Sequence, residues 1–127
     1  MFIKLVLISN FLAVALGQSV TCLNAGDNPS NYCDQFINTF CDAIDTENLR
    51  LNNTNSRCYN FDANNRCDFM AFNSYQDNTS PSSANCKKVA QEITSQCKYG
   101  GHGKINKAGP AYTFVVDYND GPCNINI

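Results

Sequence analysis

The chain contains no tryptophan, a single histidine, His102, and no C-x-x-C spacing among its eight cysteines. One histidine excludes a two-histidine acid–base site. Together with the missing C-x-x-C it leaves no ligand set in zinc spacing, so neither a metal nor another cofactor is expected. Basic excess is absent too: nine Lys and Arg stand against eleven Asp and Glu, a formal net charge of −2. Without residues 1–17, which include Lys4, the balance is −3. That argues against electrostatically driven binding to nucleic acid or to an anionic membrane. No apolar run after residue 17 is long enough to span a bilayer, so stable membrane insertion is not expected. Leu, Ile and Val are sparse over the same stretch, which denies the chain a large aliphatic core.

What is present begins with an ordered N-terminal pattern. Met1 to Lys4 give a short positive start, and Leu5 to Leu16 are apolar apart from Ser9 and Asn10. Ala15-Leu16-Gly17 supplies small residues in cleavage-site spacing. The pattern predicts a signal peptide over 1–17, removed before Gln18, and a secreted, extracellular mature chain of one domain, 18–127. All eight cysteines fall in that part: Cys22, Cys33, Cys41, Cys58, Cys67, Cys86, Cys97 and Cys123. An even number in a short exported chain reads as a framework of disulfides, whose pairing spacing alone does not choose. Each bridge stabilises such a domain by about 2–4 kcal/mol, which offsets the thin core. Two sequons, Asn52-Asn53-Thr54 and Asn78-Thr79-Ser80, lie in polar stretches and predict N-glycosylation of Asn52 and Asn78 on exposed loops.

Asn28-Pro29 reads as a helix start, followed by a stripe of Tyr32, Cys33, Phe36, Ile37, Phe40, Cys41 and Ile44. Residues 18–27 are a polar lead-in, and 45–57 a polar loop. Residues 57–61 and 66–76 alternate and carry aromatics, so they predict a hairpin joined through 62–65. After a loop over 77–83, a serine near Pro81 caps a second helix with the stripe Cys86, Val89, Ala90, Ile93 and Cys97. Gly100 fits a left-handed residue at its C-terminus. Residues 100–110 read as a glycine-rich loop. Residues 111–118 form the clearest strand, with Tyr112, Phe114, Val116 and Tyr118 on one face. The pattern predicts an α+β, disulfide-rich two-layer sandwich, two helices packed on a mostly antiparallel sheet.

The residues offer little for catalysis. His102 sits among glycines with no Gly-x-Ser-x-Gly nearby, and oxidised cysteines are not nucleophiles. A hydrolase reading would need a His102/Glu92/Arg66 trio, or a carboxylate pair drawn from Asp62, Asp68, Asp77, Asp117 and Asp120. Solvated acids explain the latter as well. A binding reading has more to use. Asp117, Tyr118, Asn119 and Asp120 gather amide, carboxylate and ring at one strand end, and Tyr59, Tyr75 and Tyr112 offer stacking faces. His102, with Lys98, Lys104 and Lys107, can meet an anionic group of a ligand.

The C-terminal third adds a resemblance. Cys86, then Cys97-Lys-Tyr-Gly100-Gly101, then Ala111-Tyr-Thr-Phe-Val-Val-Asp117-Tyr-Asn119-Asp-Gly121-Pro-Cys123 resembles the small secreted fungal proteins grouped around a mushroom glycan-binding protein. Their pattern has a helix with cysteines eleven apart, C-x-x-G-G, an aromatic strand and D-P-N-x-G-x-C. Thr21-Cys22 and a helix ending near Phe40-Cys41 resemble them as well. Tyr118 stands where that pattern has proline, and Val115-Val116 where an arginine is common. The resemblance implies an α/β sandwich, lectin-like binding of a carbohydrate or cell-surface glycan without catalysis, and a homodimer. From the residues themselves, Tyr112, Asp117, Tyr118, Asn119, Tyr75 and His102 are the candidate ligand contacts. A more distant similarity, to fungal α/β-sandwich killer toxins, implies instead an effector acting on a membrane or host protein. Hydrophobins share the cysteine count but need adjacent cysteines, which this chain lacks.

Overall fold

The structure, a computed structural model, describes residues 18–26, 29–47, 50, 52–74, 80–105 and 112–124. Strands β1 (Gln18–Cys22), β2 (Thr54–Asn60), β3 (Asn65–Asn73), β4 (Gly101–Ile105) and β5 (Tyr112–Asp120) form one sheet. Its order is β1-β4-β5-β3-β2, and every pairing is antiparallel. A 3-10 segment, Ser30–Phe36, leads into helix α1 (Ile37–Ile44), and helix α2 (Ser83–Gln96) follows β3. Both helices cover the same face of the sheet. The α+β, disulfide-rich two-layer sandwich read from the sequence is the architecture found.

The core follows from the two periodicities. α1 buries Ile37, Phe40, Cys41 and Ile44, one stripe at helical spacing. α2 buries Cys86, Val89, Ala90 and Ile93, with Ser82 capping its start by accepting the Asn85 N–H at 3.2 Å. The sheet answers with alternate residues: Cys67, Phe69 and Ala71 from β3, and Tyr112, Phe114, Val116 and Tyr118 from β5. Phe40 and Phe69 meet with ring centroids 5.0 Å apart. β4 presents Gly101 and Gly103 to the helices, with Ile105 partly buried at its end. A Cβ on Gly103 would lie 3.0 Å from Val89 Cγ1 and 2.7 Å from the Ser19 carbonyl, so α2 can approach this strand only while the side chain is missing.

Four disulfides staple the layers: Cys22–Cys97, Cys33–Cys67, Cys41–Cys86 and Cys58–Cys123. They join β1 to the end of α2, the 3-10 segment to β3, α1 to α2, and β2 to the segment after β5. No described cysteine is free.

Several expectations are corrected. Residues 18–22 are an edge strand rather than a polar lead-in, because β4 lends them a partner. Residues 101–105 are that partner rather than part of a loop; glycine at two of the three core-facing positions, 101 and 103, erases the hydropathy alternation that marks a strand. The first turns of the expected first helix are 3-10, and Tyr32, placed on the core stripe, is 43% exposed. The hairpin strands run 54–60 and 65–73, and Asp62 shapes their turn by accepting the Asn64 N–H at 2.8 Å. Gly100 does have φ +91°, yet it closes a turn onto the Cys97 carbonyl after α2 has ended. Tyr75, Asp77, Asn78 and Lys107 lie outside the described residues.

The bridges are unequal in a testable way. Cys33 and Cys67 are wholly buried, whereas Cys58 is exposed and Cys123 sits at the edge of the core. Chain entropy favours the longer Cys58–Cys123 loop by roughly half a kcal/mol. Burial works the other way, since losing the inner bridge opens a void of about two sulfurs in the core. Urea unfolding should show Cys33→Ala/Cys67→Ala losing more stability than Cys58→Ala/Cys123→Ala, by about 1 kcal/mol or more.

Candidate functional site

The helices cover one face of the sheet, so the residues that alternate with the core set point away from it. Register aligns them in rows. Asn60, Arg66 and Asn119 form one row; Cys58, Asp68 and Asp117 the next. Ser56, Met70, Val115, His102 and Thr21 form a third. Thr54, Phe72 and Thr113 begin a fourth that continues through Lys104 to Ser19. This bare face is mostly polar, with Cys58, Met70, Val115 and Phe72 as its apolar members, and most of it is at least partly open to solvent.

Its central feature is a polar knot on β3 and β5. Asp68 and Asp117 are direct cross-strand neighbours. The Asn119 side-chain amide donates to both, at 2.7 Å to Asp68 Oδ2 and 3.2 Å to Asp117 Oδ2. Arg66 Nε donates to Asp68 Oδ2 at 2.9 Å, and its Nη1 reaches the Asp120 carbonyl at 2.5 Å. Burial raises the Asp117 carboxyl above the usual carboxylate range; the charge of Asp68 pushes the same way, and the Asn119 amide opposes both. Beside the knot lies a cleft of about 480 Å³, lined by Ser56, Cys58, Asp68, Met70, Val115 and Asp117. A second cleft, of about 230 Å³, lies across β1, β4 and β5 over Ser19, Thr21, His102, Lys104 and Thr113.

The structure divides the candidates named above. Asp117, Asn119 and His102 share the bare face. Tyr112 and Tyr118 are corrected: they are 6% and 2% exposed and lie under the helices, because on β5 they alternate with Thr113, Asp117 and Asn119. A strand cannot present adjacent residues to the same side. Tyr59 also faces the helices, stacked on Phe36 at 5.2 Å. Lys98 projects over the Tyr99 ring rather than joining His102. The His102/Glu92/Arg66 trio is not assembled: Glu92 is on α2, on the other side of the sheet, and Arg66 is two rows from His102. Asn52 is exposed in a turn with φ +68°. Arg66, Asp68 and Asn119 acting together went unread because they join residues far apart in the chain. Writing 66–72 antiparallel to 113–119 would have exposed the pairing.

Among the described residues, no cluster of three or more His, Cys, Asp or Glu is arranged to hold a metal ion. No described helix is long and apolar enough to cross a membrane. The fold and the bare polar face define a small disulfide-stapled sandwich with a surface suited to hydroxyl-rich ligands. The family follows from the chain itself: a model of Glycan binding domain Y3 matches residues 32–123, well over half of the sequence, and the protein belongs to that family. The match runs from the 3-10 segment to Cys123 and encloses three of the four disulfides; Cys22–Cys97 reaches outside it. No curated protein is similar enough to stand as a relative.

Asp117 makes the knot sensitive to pH. Its carboxyl is raised in the folded state, so its contribution to stability is full below the unfolded carboxylate range and is lost as pH rises through the folded value. Asp42 and Asp62 are lowered, Asp42 mainly by a hydrogen bond from Lys87 and Asp62 mainly by the Asn64 N–H, so they act in the opposite sense and lose their contribution on acidification. Asp117→Asn should therefore raise the melting temperature at pH 7, with the gain gone near pH 3. Circular dichroism melts at the two pH values check this.

Proposed function

We propose that this is a secreted, non-catalytic glycan-binding protein, lectin-like, that takes its ligand on the bare face of the sheet. The observation that carries the reading is the family match, which extends over four of the five strands that build that face, β2 to β5. The chemistry is compatible. Carboxylates of Asp68 and Asp117 are acceptors for sugar hydroxyls, and the Asn119 amide offers both a donor and an acceptor. Met70 and Val115 give apolar surface on which the C–H face of a ring can rest. Tyr112 and Tyr118 take no direct part; they support β5 from beneath.

Export through 1–17 and a cleaved leader belong to the same proposal. Four disulfides persist only where thiols stay oxidised, which fits an extracellular site. Asn52, exposed on its turn, is accessible to glycosylation during that passage. The homodimer implied by the resemblance fits a sheet whose outer strands, β1 and β2, each have one side without a strand neighbour among the described residues.

Binding of the oxidised protein to a glycan array, followed by calorimetry on the retained sugars, tests the reading. Asn119→Ala and Asp117→Ala should each weaken binding by about tenfold, while Tyr118→Phe stays within about twofold of the parent. If no glycan is retained at high micromolar protein, the reading is wrong.

A further inference from the structure

The second cleft differs in charge from the first. Lys104 and His102 are exposed on β4, side by side with the hydroxyls of Ser19 and Thr21 on β1 and Thr113 on β5. Register pairs Ser19 with Lys104 and Thr21 with His102. Pairing of Gly103 with Phe114 puts Lys104 beside Thr113. Among the described residues, none of these five side chains makes an ion pair or a hydrogen bond with another. In this protein of net charge −2 the described carboxylates of the bare face gather elsewhere, at Asp68 and Asp117 toward the other end of β5. The face thus carries its carboxylates, already engaged by Arg66 and Asn119, toward one end, and toward the other donors that have no partner among the described residues.

We infer that the cleft over Lys104, His102, Ser19, Thr21 and Thr113 binds a sulfate ester carried by the glycan. The inference rests on the carbohydrate reading and narrows it to an anionic ligand. Donor chemistry selects the group. An ammonium, an imidazole N–H and three hydroxyls are single-point donors converging from three strands, a match for the three terminal oxygens of a sulfate. A planar carboxylate is best met by the guanidinium fork of arginine, and no arginine lines this cleft. Phe72 supplies a footing for the sugar. It pairs with Thr113 on the same face and is half-buried, two strand steps from Lys104, or about 10 Å. That distance lets one residue of a disaccharide rest on the ring while the ester on the next enters the cleft. Set the other way round, the ester would lie over Thr54 on β2, where no cation is placed.

The test uses immobilised disaccharides in matched sets that differ only by one group: unsubstituted, O-sulfated or carboxylated, titrated with the oxidised protein in 0.15 M salt. The sulfated member should bind about tenfold tighter than its unsubstituted partner, a ratio in keeping with one charge-assisted contact. Lys104→Gln/His102→Gln should bring that ratio close to one. Both side chains are exposed, and an unchanged circular dichroism melt verifies folding. Equal binding of sulfated and unsubstituted members overturns the inference and leaves the carbohydrate reading standing. A preference for the carboxylated member, or a sulfate preference that survives in the double variant, also overturns it. Retention of no member removes both.

Discussion

The Cys33–Cys67 and Cys41–Cys86 bridges run through the middle of the molecule, and the layers depend on them. A helix of eight residues, such as α1, is marginal alone in water. Here one cysteine of its stripe is bonded to α2, and the 3-10 segment before it is bonded to β3. The four cysteines are fully buried, so sulfur fills volume that leucine or isoleucine would fill in a larger domain. The bridges act twice, limiting the unfolded chain and packing the folded one.

With the helices fixed to one side, the sheet's other side owes nothing to the core. There carboxylate, amide and ammonium groups can lie close together without heavy desolvation. The Asp68–Asp117 pair shows the limit. Two like charges share one donor amide, and partial burial of Asp117 discourages its ionisation. Arg66 restrains the arrangement by holding Asp68 and the end of β5 at once. A hydroxyl-rich ligand would find these groups already oriented by the strands beneath them, which lowers the ordering cost of binding.

Much of the fold was legible. The stripe Cys86, Val89, Ala90, Ile93 and the alternation of 112–118 are strong periodic signals, and both elements occur where they were placed. β1 and β4 were not legible, for a physical reason. Gly101 and Gly103 hold their place by absence of bulk, which a hydrophobic pattern does not register, and β1 has no alternation strong enough to declare itself without β4. The site was half legible. Asp117 and Asn119 were named, but so was Tyr118, although period two sends neighbours to opposite sides. Arg66 and Asp68 entered only as hydrolase candidates, since nothing local ties β3 to β5. Pairing between segments some fifty residues apart is tertiary information.

The separation of duties along β5 reaches beyond any single ligand. Phe114, Val116 and Tyr118 are constrained by what lies above them, whereas Thr113, Val115, Asp117 and Asn119 answer only to the solvent side. Recognition and folding are thereby written in alternate letters of the same strand. A lineage built on this frame can exchange one target for another through outward substitutions while the inward letters, and the sulfur clasps behind them, stay fixed.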